Sequence, residues 1–193
     1  MEYESVRDWI VGMKAGDAKA AQKLFEAYAP RLYGYFYRAT RNHHQAEDLL
    51  GETMLRISST IHRYDESGRF EQWLFRIAAN LVRDRIRRFK TRPTPISLSP
   101  DKDSDDMPLS ARIADKADAP DDRIIKSERA TQLNEALEQL DDTTRQMILL
   151  RHFGQMSYKA IAETFDCPLG TALARVHRGI KQLRGLLESK DLQ

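Results

Sequence analysis

The 193-residue chain has a single cysteine, Cys167, so it can form neither an internal disulfide nor a CxxC metal pair, a composition that fits a reducing compartment. No apolar run approaches the ~18 residues that a membrane helix requires. The opening residues carry Glu2, Glu4 and Asp8 where a secretory signal would be basic, so the expectation is a cytoplasmic protein without membrane insertion. Alternating apolar and polar residues never persist long enough to mark a strand, which leaves an all-α fold. There is no glycine-rich phosphate loop and no nucleophile elbow. His43, His44, His62, His152 and His177 lack the spacing of a metal site, and Asp141-Asp142 reads as a helix cap rather than a catalytic pair. The chain is therefore expected to be no enzyme and to need no metal or cofactor. Excess charge is missing too: 31 Lys+Arg against 29 Asp+Glu leave +2.

That balance hides an uneven distribution. Residues 1–92 hold 17 Lys+Arg and 12 Asp+Glu, a net of +5, residues 93–126 carry −3, and residues 127–193 are neutral. The middle segment holds Pro93, Pro95, Pro100, Pro108 and Pro120 around the acids Asp101, Asp103, Asp105 and Asp106. Such a stretch reads as a flexible acidic linker, with a root-mean-square span of ~30 Å and a reach beyond ~100 Å. Two small helical domains, 1–92 and 127–193, are thus expected to grip separate sites on one partner.

In the first domain, residues 17–41 are helix-forming after a Gly16-Asp17 cap, with Pro30 marking a break or the first turn of a second helix. Ala46, Leu50, Met54, Ile57 and Ile61 recur at helical spacing. After a loop over about residues 62–69, Phe70, Leu74, Ile77 and Leu81 define one face of a further helix, whose other face lines up Arg76, Asn80, Arg83, Arg87 and Lys90. A charge run by itself is a solvated face. Beside Tyr64 and Phe70, however, this stripe combines rings for base stacking with guanidinium groups for phosphates, the composition of a single-strand binding surface. Packing is the competing role for these rings and the favoured one for Trp73.

In the second domain, a helix from Ser127 to about Gln139 is followed by Asp142–Phe153. Ser157 then caps a short helix over 158–165, and Pro168-Leu169-Gly170-Thr171 opens a last one to about Glu188. A short helix, a tight turn and a helix bearing Arg175, Arg178, Lys181 and Arg184 make a helix-turn-helix. A plain αα-hairpin shares the apolar pattern, but the small turn residues and the outer cations favour DNA.

The run Phe70-x-x-Trp73-Leu74-x-x-Ile77-Ala78-x-Asn80-x-x-x-Asp84-x-x-Arg87-Arg88 resembles the promoter-melting helix of bacterial sigma factors of the extracytoplasmic-function (ECF) class. Ala46-Glu47-Asp48-Leu49-x-x-Glu52-x-x-Leu55 resembles that family's segment for core RNA polymerase, and Ser157-Tyr158-x-x-Ile161-Ala162 with Pro168-x-Gly170-Thr171 its second DNA-binding domain. The resemblance implies a transcription initiation factor whose partners are core RNA polymerase, promoter DNA and an anti-sigma protein. Glu47, Asp48, Glu52 and Leu55 would dock on the polymerase. Tyr64, Phe70, Arg76, Asn80, Arg83, Arg87 and Arg88 would bind the minus-10 element and hold it open, against ~1.4 kcal/mol per base-pair step. Thr171, Arg175, His177 and Arg178 would read the minus-35 element.

Four positions depart from the family pattern. Gly51 stands where glutamine is usual, Asp141 where proline is common, and Leu173 and Ala174 where a basic residue and a serine are frequent. The last pair removes two polar contacts with DNA, so the expectation is either apolar contact with thymine methyls or weak reading of the upstream element. The alternative of another class is a stand-alone helix-turn-helix regulator that binds duplex DNA as a dimer, which leaves the 70–88 motif without a role. An enzyme such as a helical nucleic-acid hydrolase would need a carboxylate or histidine metal cluster.

Overall fold

The computed structural model describes residues 5–65, 68–91 and 120–191, and all of its regular structure is helical. Ser5 and Asp8 close a capping box at the start of α1 (Val6–Lys14). Asp17 caps α2 (Ala18–Thr40) through the Lys19 amide at 2.8 Å. The expected break at Pro30 does not occur, and α2 runs through it as one helix. Proline costs ~3 kcal/mol inside a helix because it removes one hydrogen bond and crowds the preceding turn. Here the carbonyl left without that donor belongs to Glu26, an exposed residue, while Leu24, Tyr28, Ala29, Leu32, Tyr33, Tyr35 and Phe36 bury the opposite side.

Arg41 ends α2 in the left-handed region, at φ 57°, and Asn42 caps α3 (His43–Thr60) by accepting from the Gln45 amide. A 3-10 turn, Ile61–Arg63, then leads through Gly68 at φ 71° to α4 (Phe70–Thr91). α4 buries more than the single face read from its spacing. Phe75, Ala78, Ala79 and Val82 are fully buried together with Leu74, because α2 and α3 cover one side and the second domain covers another.

The second domain comprises α5 (Pro120–Glu138), α6 (Asp142–Phe153), α7 (Tyr158–Thr164) and α8 (Leu169–Asp191). α5 starts inside the stretch expected as linker, where a proline at the first helical position followed by two aspartates is a favourable helix start. The remainder of the expected linker, through residue 119, lies outside the described residues. Asp141 caps α6 through the Thr144 amide, and Ser157 caps α7 through the Ala160 amide. α8 approaches α6 so closely at Gly179 that a Cβ there would lie 2.6 Å from Thr144 Cγ2.

The two domains pack against one another through α2 on α6 and α4 on α6 and α7, so the buried apolar residues form one continuous core. At Gly34 of α2, an added Cβ would lie 2.9 Å from the Phe153 ring; at Gly154 it would lie 2.9 Å from Phe75 Cβ. Both glycines stand where backbone from one domain meets an aromatic side chain from the other.

Candidate polymerase and nucleic-acid interface

Three surfaces carry the residues singled out by sequence. On α3, Glu47, Asp48, Glu52 and Leu55 are all exposed, with Leu55 at 74%. Asp48, Glu52 and Leu55 follow at intervals of four and three and share one face. Asp48 meets Arg85 of α4 at 3.7 Å yet keeps its carboxylate 68% open. An acidic face with a protruding leucine is suited to a basic partner surface with an apolar seat. Gly51 lies within this helix, and a Cβ there would meet nothing within 4 Å.

On α4, Arg76, Asn80, Arg83 and Arg87 are exposed along one side, as their period requires, and Arg88 is exposed a quarter-turn away. Arg76 pairs with Glu163 of α7 at 2.9 Å, and Arg87 pairs with Asp84 at 3.0 Å. Arg83 donates to the Thr164 carbonyl at 2.6 Å and lies over the Phe165 ring.

The aromatic residues differ from expectation. Tyr64 and Phe70 are buried, not displayed, and their rings pack edge-on at 5.5 Å, with Trp73 within 5.6 Å of both. Phe70 sits one turn ahead of Leu74 on the apolar side of α4 and is also covered by Tyr28. Tyr64 leaves the 3-10 turn pointing into this cluster, its carbonyl held by the Lys14 ammonium at 2.6 Å. An open cleft of about 380 Å³ lies beside the cluster, with Arg63, Arg69 and Arg76 on one side and Lys159 and Glu163 of α7 on the other.

On α8, Thr171, His177 and Arg178 are exposed. Arg175 is engaged within its own domain, donating to Asp141 Oδ1 at 3.2 Å and Thr144 Oγ1 at 3.4 Å. Burial acts to raise the Asp141 carboxyl, but hydrogen bonds from Thr144 and the nearby Arg175 cation outweigh it and hold the group below its ordinary value. Leu173 is half-buried and Ala174 exposed. A separate apolar groove of about 640 Å³ opens between α5, α6 and α8, walled by Leu133, Leu137, Ile148 and Ile180.

No cluster of three or more His, Cys, Asp or Glu able to hold a metal occurs among the described residues. His43 is bound up in packing: the Tyr33 hydroxyl and His43 Nδ1 are 2.6 Å apart, and Tyr37 stacks on the imidazole at 4.4 Å. Burial, with the Glu47 charge nearby, pushes the Tyr33 hydroxyl up to about 12. No described helix is long and apolar enough to cross a membrane.

Sequence reasoning did not find Arg31. Its guanidinium donates to the Phe153 carbonyl at 2.6 Å and to both oxygens of Glu71, at 2.8 and 3.1 Å, joining α2, α4 and the end of α6. The one available signal was Gly34, a helix-interior glycine in an aromatic run, which marks a close approach without naming the partner.

An exposed acidic face, a basic helical stripe and a helix-turn-helix in one all-helical chain are the features of a sigma factor, and the chain belongs to that class. Residues 24–92 match Sigma-70 region 2, and residues 130–183 match Sigma-70, region 4. Within that class the chain belongs to the ECF RNA polymerase sigma factors. It is 30% identical over 179 residues to the ECF RNA polymerase sigma factor SigW of Bacillus subtilis, an alignment covering 93% of this chain and 95% of that one. It is 33% identical to the RNA polymerase sigma factor CarQ of Myxococcus xanthus, covering 92% and 95%. The sigma factor RpoE of Bartonella quintana, solved with the anti-sigma factor NepR, shares the fold with a TM-score of 0.62 at 20% identity, covering 86% of this chain and 96% of that one. CnrH, solved with the cytosolic domain of CnrY, does so with a TM-score of 0.61 at 18% identity, covering 95% and 97%. The chain is a transcription initiation factor that binds core RNA polymerase and directs it to promoters; the stand-alone regulator is not favoured.

Proposed function

We propose that the three surfaces divide the work of initiation. The α3 face (Glu47, Asp48, Glu52, Leu55) docks on core polymerase. The α4 stripe (Arg76, Asn80, Arg83, Arg87, Arg88) holds the backbone of the opened minus-10 strand, and Tyr64 and Phe70 shape the wall of the cleft beside it. Thr171, Arg175, His177 and Arg178 read the minus-35 element, for which Arg175 exchanges Asp141 for DNA. The observation that carries this reading is the segregation of charge: an acidic face and a basic stripe stand on adjacent helices of one domain, each at helical period.

The functional units are residues 1–92 and 127–193, joined through 93–126. The polymerase performs all the chemistry, the factor needs no cofactor, and it works in the cytoplasm. An anti-sigma protein is proposed as its regulator, on the ground that the sigma factor RpoE of Bartonella quintana, which shares its fold, was solved with one. Reconstitution tests the proposal. Added to bacterial core polymerase, the chain is expected to yield promoter-dependent transcripts; Glu52→Arg should abolish complex formation with core, and Arg83→Ala should weaken promoter opening while leaving the complex intact. Absence of a stable complex with core would refute it.

A further inference from the structure

We propose that Ala174 is the specificity-determining residue of the helix-turn-helix: its methyl group, with that of Thr171 beside it, selects thymine in the minus-35 element through the thymine C5 methyl. This rests on the assignment of α8 to that element and adds the base that α8 prefers and the contact that prefers it.

The first turns of a recognition helix are the part that meets base edges. On α8 those turns present Gly170, Thr171 and Ala174 outward within one arc, all exposed, while Ala172 and Val176 are buried on the opposite side. At Gly170 a Cβ would meet nothing within 4 Å, so no neighbouring group stands in front of this end of the helix. The two arginines near enough to add a polar contact are turned to acceptors in the protein. Arg175 lies about a quarter-turn from Ala174 and donates to Asp141 Oδ1 and Thr144 Oγ1. Arg178 folds back along its own helix and donates from Nε to the Ala174 carbonyl at 3.3 Å. What projects at the reading end is therefore two methyl groups and one hydroxyl, that of Thr171.

Among the bases, only thymine offers a methyl group in the major groove. The exocyclic amine of cytosine in the same place would be desolvated against Ala174 without a hydrogen-bond partner, so the face rejects as well as prefers. Small side chains also let the helix seat closely, which brings Arg178 and Lys181, further along the same face, to the phosphates. The opposite side of α8 is held firmly, since at Gly179 it approaches α6 too closely to admit a Cβ. The cations supply affinity, and Ala174 supplies the identity of the base.

The test uses the holoenzyme, the full chain on bacterial core polymerase. Promoter duplexes randomised in sequence are selected for retention by the holoenzyme, and thymine is expected to recur in the upstream element. In a selected duplex those thymines are replaced one at a time by deoxyuridine, which keeps the base pair and removes only the methyl. Affinity should fall about three- to fivefold at the position facing Ala174, the factor that corresponds to withdrawing one buried methyl. Ala174→Gly should lose a similar factor on the thymine duplex and no longer distinguish thymine from deoxyuridine there. Ala174→Ser, which sets a hydroxyl in the contact, gives the same reading should the glycine variant lose its helical circular dichroism. Selected elements without recurrent thymine, or an undiminished thymine preference in both variants, would overturn the proposal. A scrambled minus-35 element separates this contact from the assignment beneath it. Scrambling that weakens binding where deoxyuridine does not removes the methyl contact and leaves α8 on the element; scrambling without effect removes the assignment, and the contact with it.

Discussion

The acidic face of α3 and the basic stripe of α4 stand on neighbouring helices of the same domain, and their circumstances are opposite. Leu55, Glu52 and Asp48 project into solvent, whereas Arg76 and Arg83 spend their donors on the second domain. Both surfaces are polar enough to be exposed on the grounds of solvation alone, so hydrophobicity does not explain the difference. Partner geometry does. α7 presents a carboxylate and a helix C-terminus, both of which attract arginine and repel the carboxylates of α3.

The largest effects are expected where both domains lean on one side chain. Phe75 is fully buried between Tyr35, Arg31 and Gly154. Phe75→Ala should cost about 3–5 kcal/mol of unfolding free energy, read from urea denaturation, and should loosen the domain contact as well. Gly154→Val attacks the same place from the other domain, because a Cβ at 2.9 Å from Phe75 Cβ and from the Leu150 carbonyl has only rigid neighbours. A loss of about 1–3 kcal/mol follows from overpacking of this kind. Unchanged urea midpoints in both variants would show that the domains fold independently and that α4 owes its burial to its own domain.

Most of the architecture was legible from the pattern of apolar residues and caps. Asp17, Asp141 and Ser157 each announce a helix start, and the periods of α3 and α4 put Asp48, Glu52 and Leu55 on one exposed face and Arg76, Asn80, Arg83 and Arg87 on another. Pro30 misleads because a helix interior tolerates proline when the freed carbonyl faces water and the opposite side is deeply packed. Tyr64 and Phe70 mislead for another reason: a ring next to a basic stripe has the same sequence signature whether it faces a base or a neighbouring ring. Arg31 and Glu163 leave no trace, since a surface arginine and a surface glutamate are ordinary until the fold brings their domains together, and no local rule encodes that meeting.

The helix-turn-helix offers a pH-dependent contrast with the contact between the domains. Asp141 is held below its ordinary value in the folded chain, so its contribution to stability is present in full above 3.8 and is lost as pH falls through the lower folded value. Asp141→Asn keeps an acceptor for the Thr144 amide but cannot titrate or pair with Arg175 as an anion. The variant's stability should therefore be less steep with acidification below about pH 4, measured as thermal midpoints across pH. At neutral pH the deficit should stay within about 1 kcal/mol, because the Asp141–Arg175 pair is solvent-exposed. An equally steep acid limb in the variant would assign that limb to carboxylates elsewhere.

The finest discrimination comes from two glycines in helix interiors. Gly51 in α3 and Gly34 in α2 share the same intrinsic penalty, ~0.5–1 kcal/mol relative to alanine, because each gives up backbone freedom without a side chain to pack. Their surroundings differ. A methyl group at Gly51 would meet nothing within 4 Å, while at Gly34 it would lie 2.9 Å from Phe153 Cε1 and 3.4 Å from Cζ, across the contact between the domains. Gly51→Ala should therefore raise stability by close to the full intrinsic amount and leave domain closure unchanged. Gly34→Ala should gain nothing or lose stability, since the Phe153 ring, held by Arg38 at 5.3 Å on its face, must shift to admit the methyl. Equal gains in the two variants, read as urea midpoints of the full chain, would mean that Phe153 is not seated on α2 in solution; a gap near 1 kcal/mol would place the ring against α2 in the free protein.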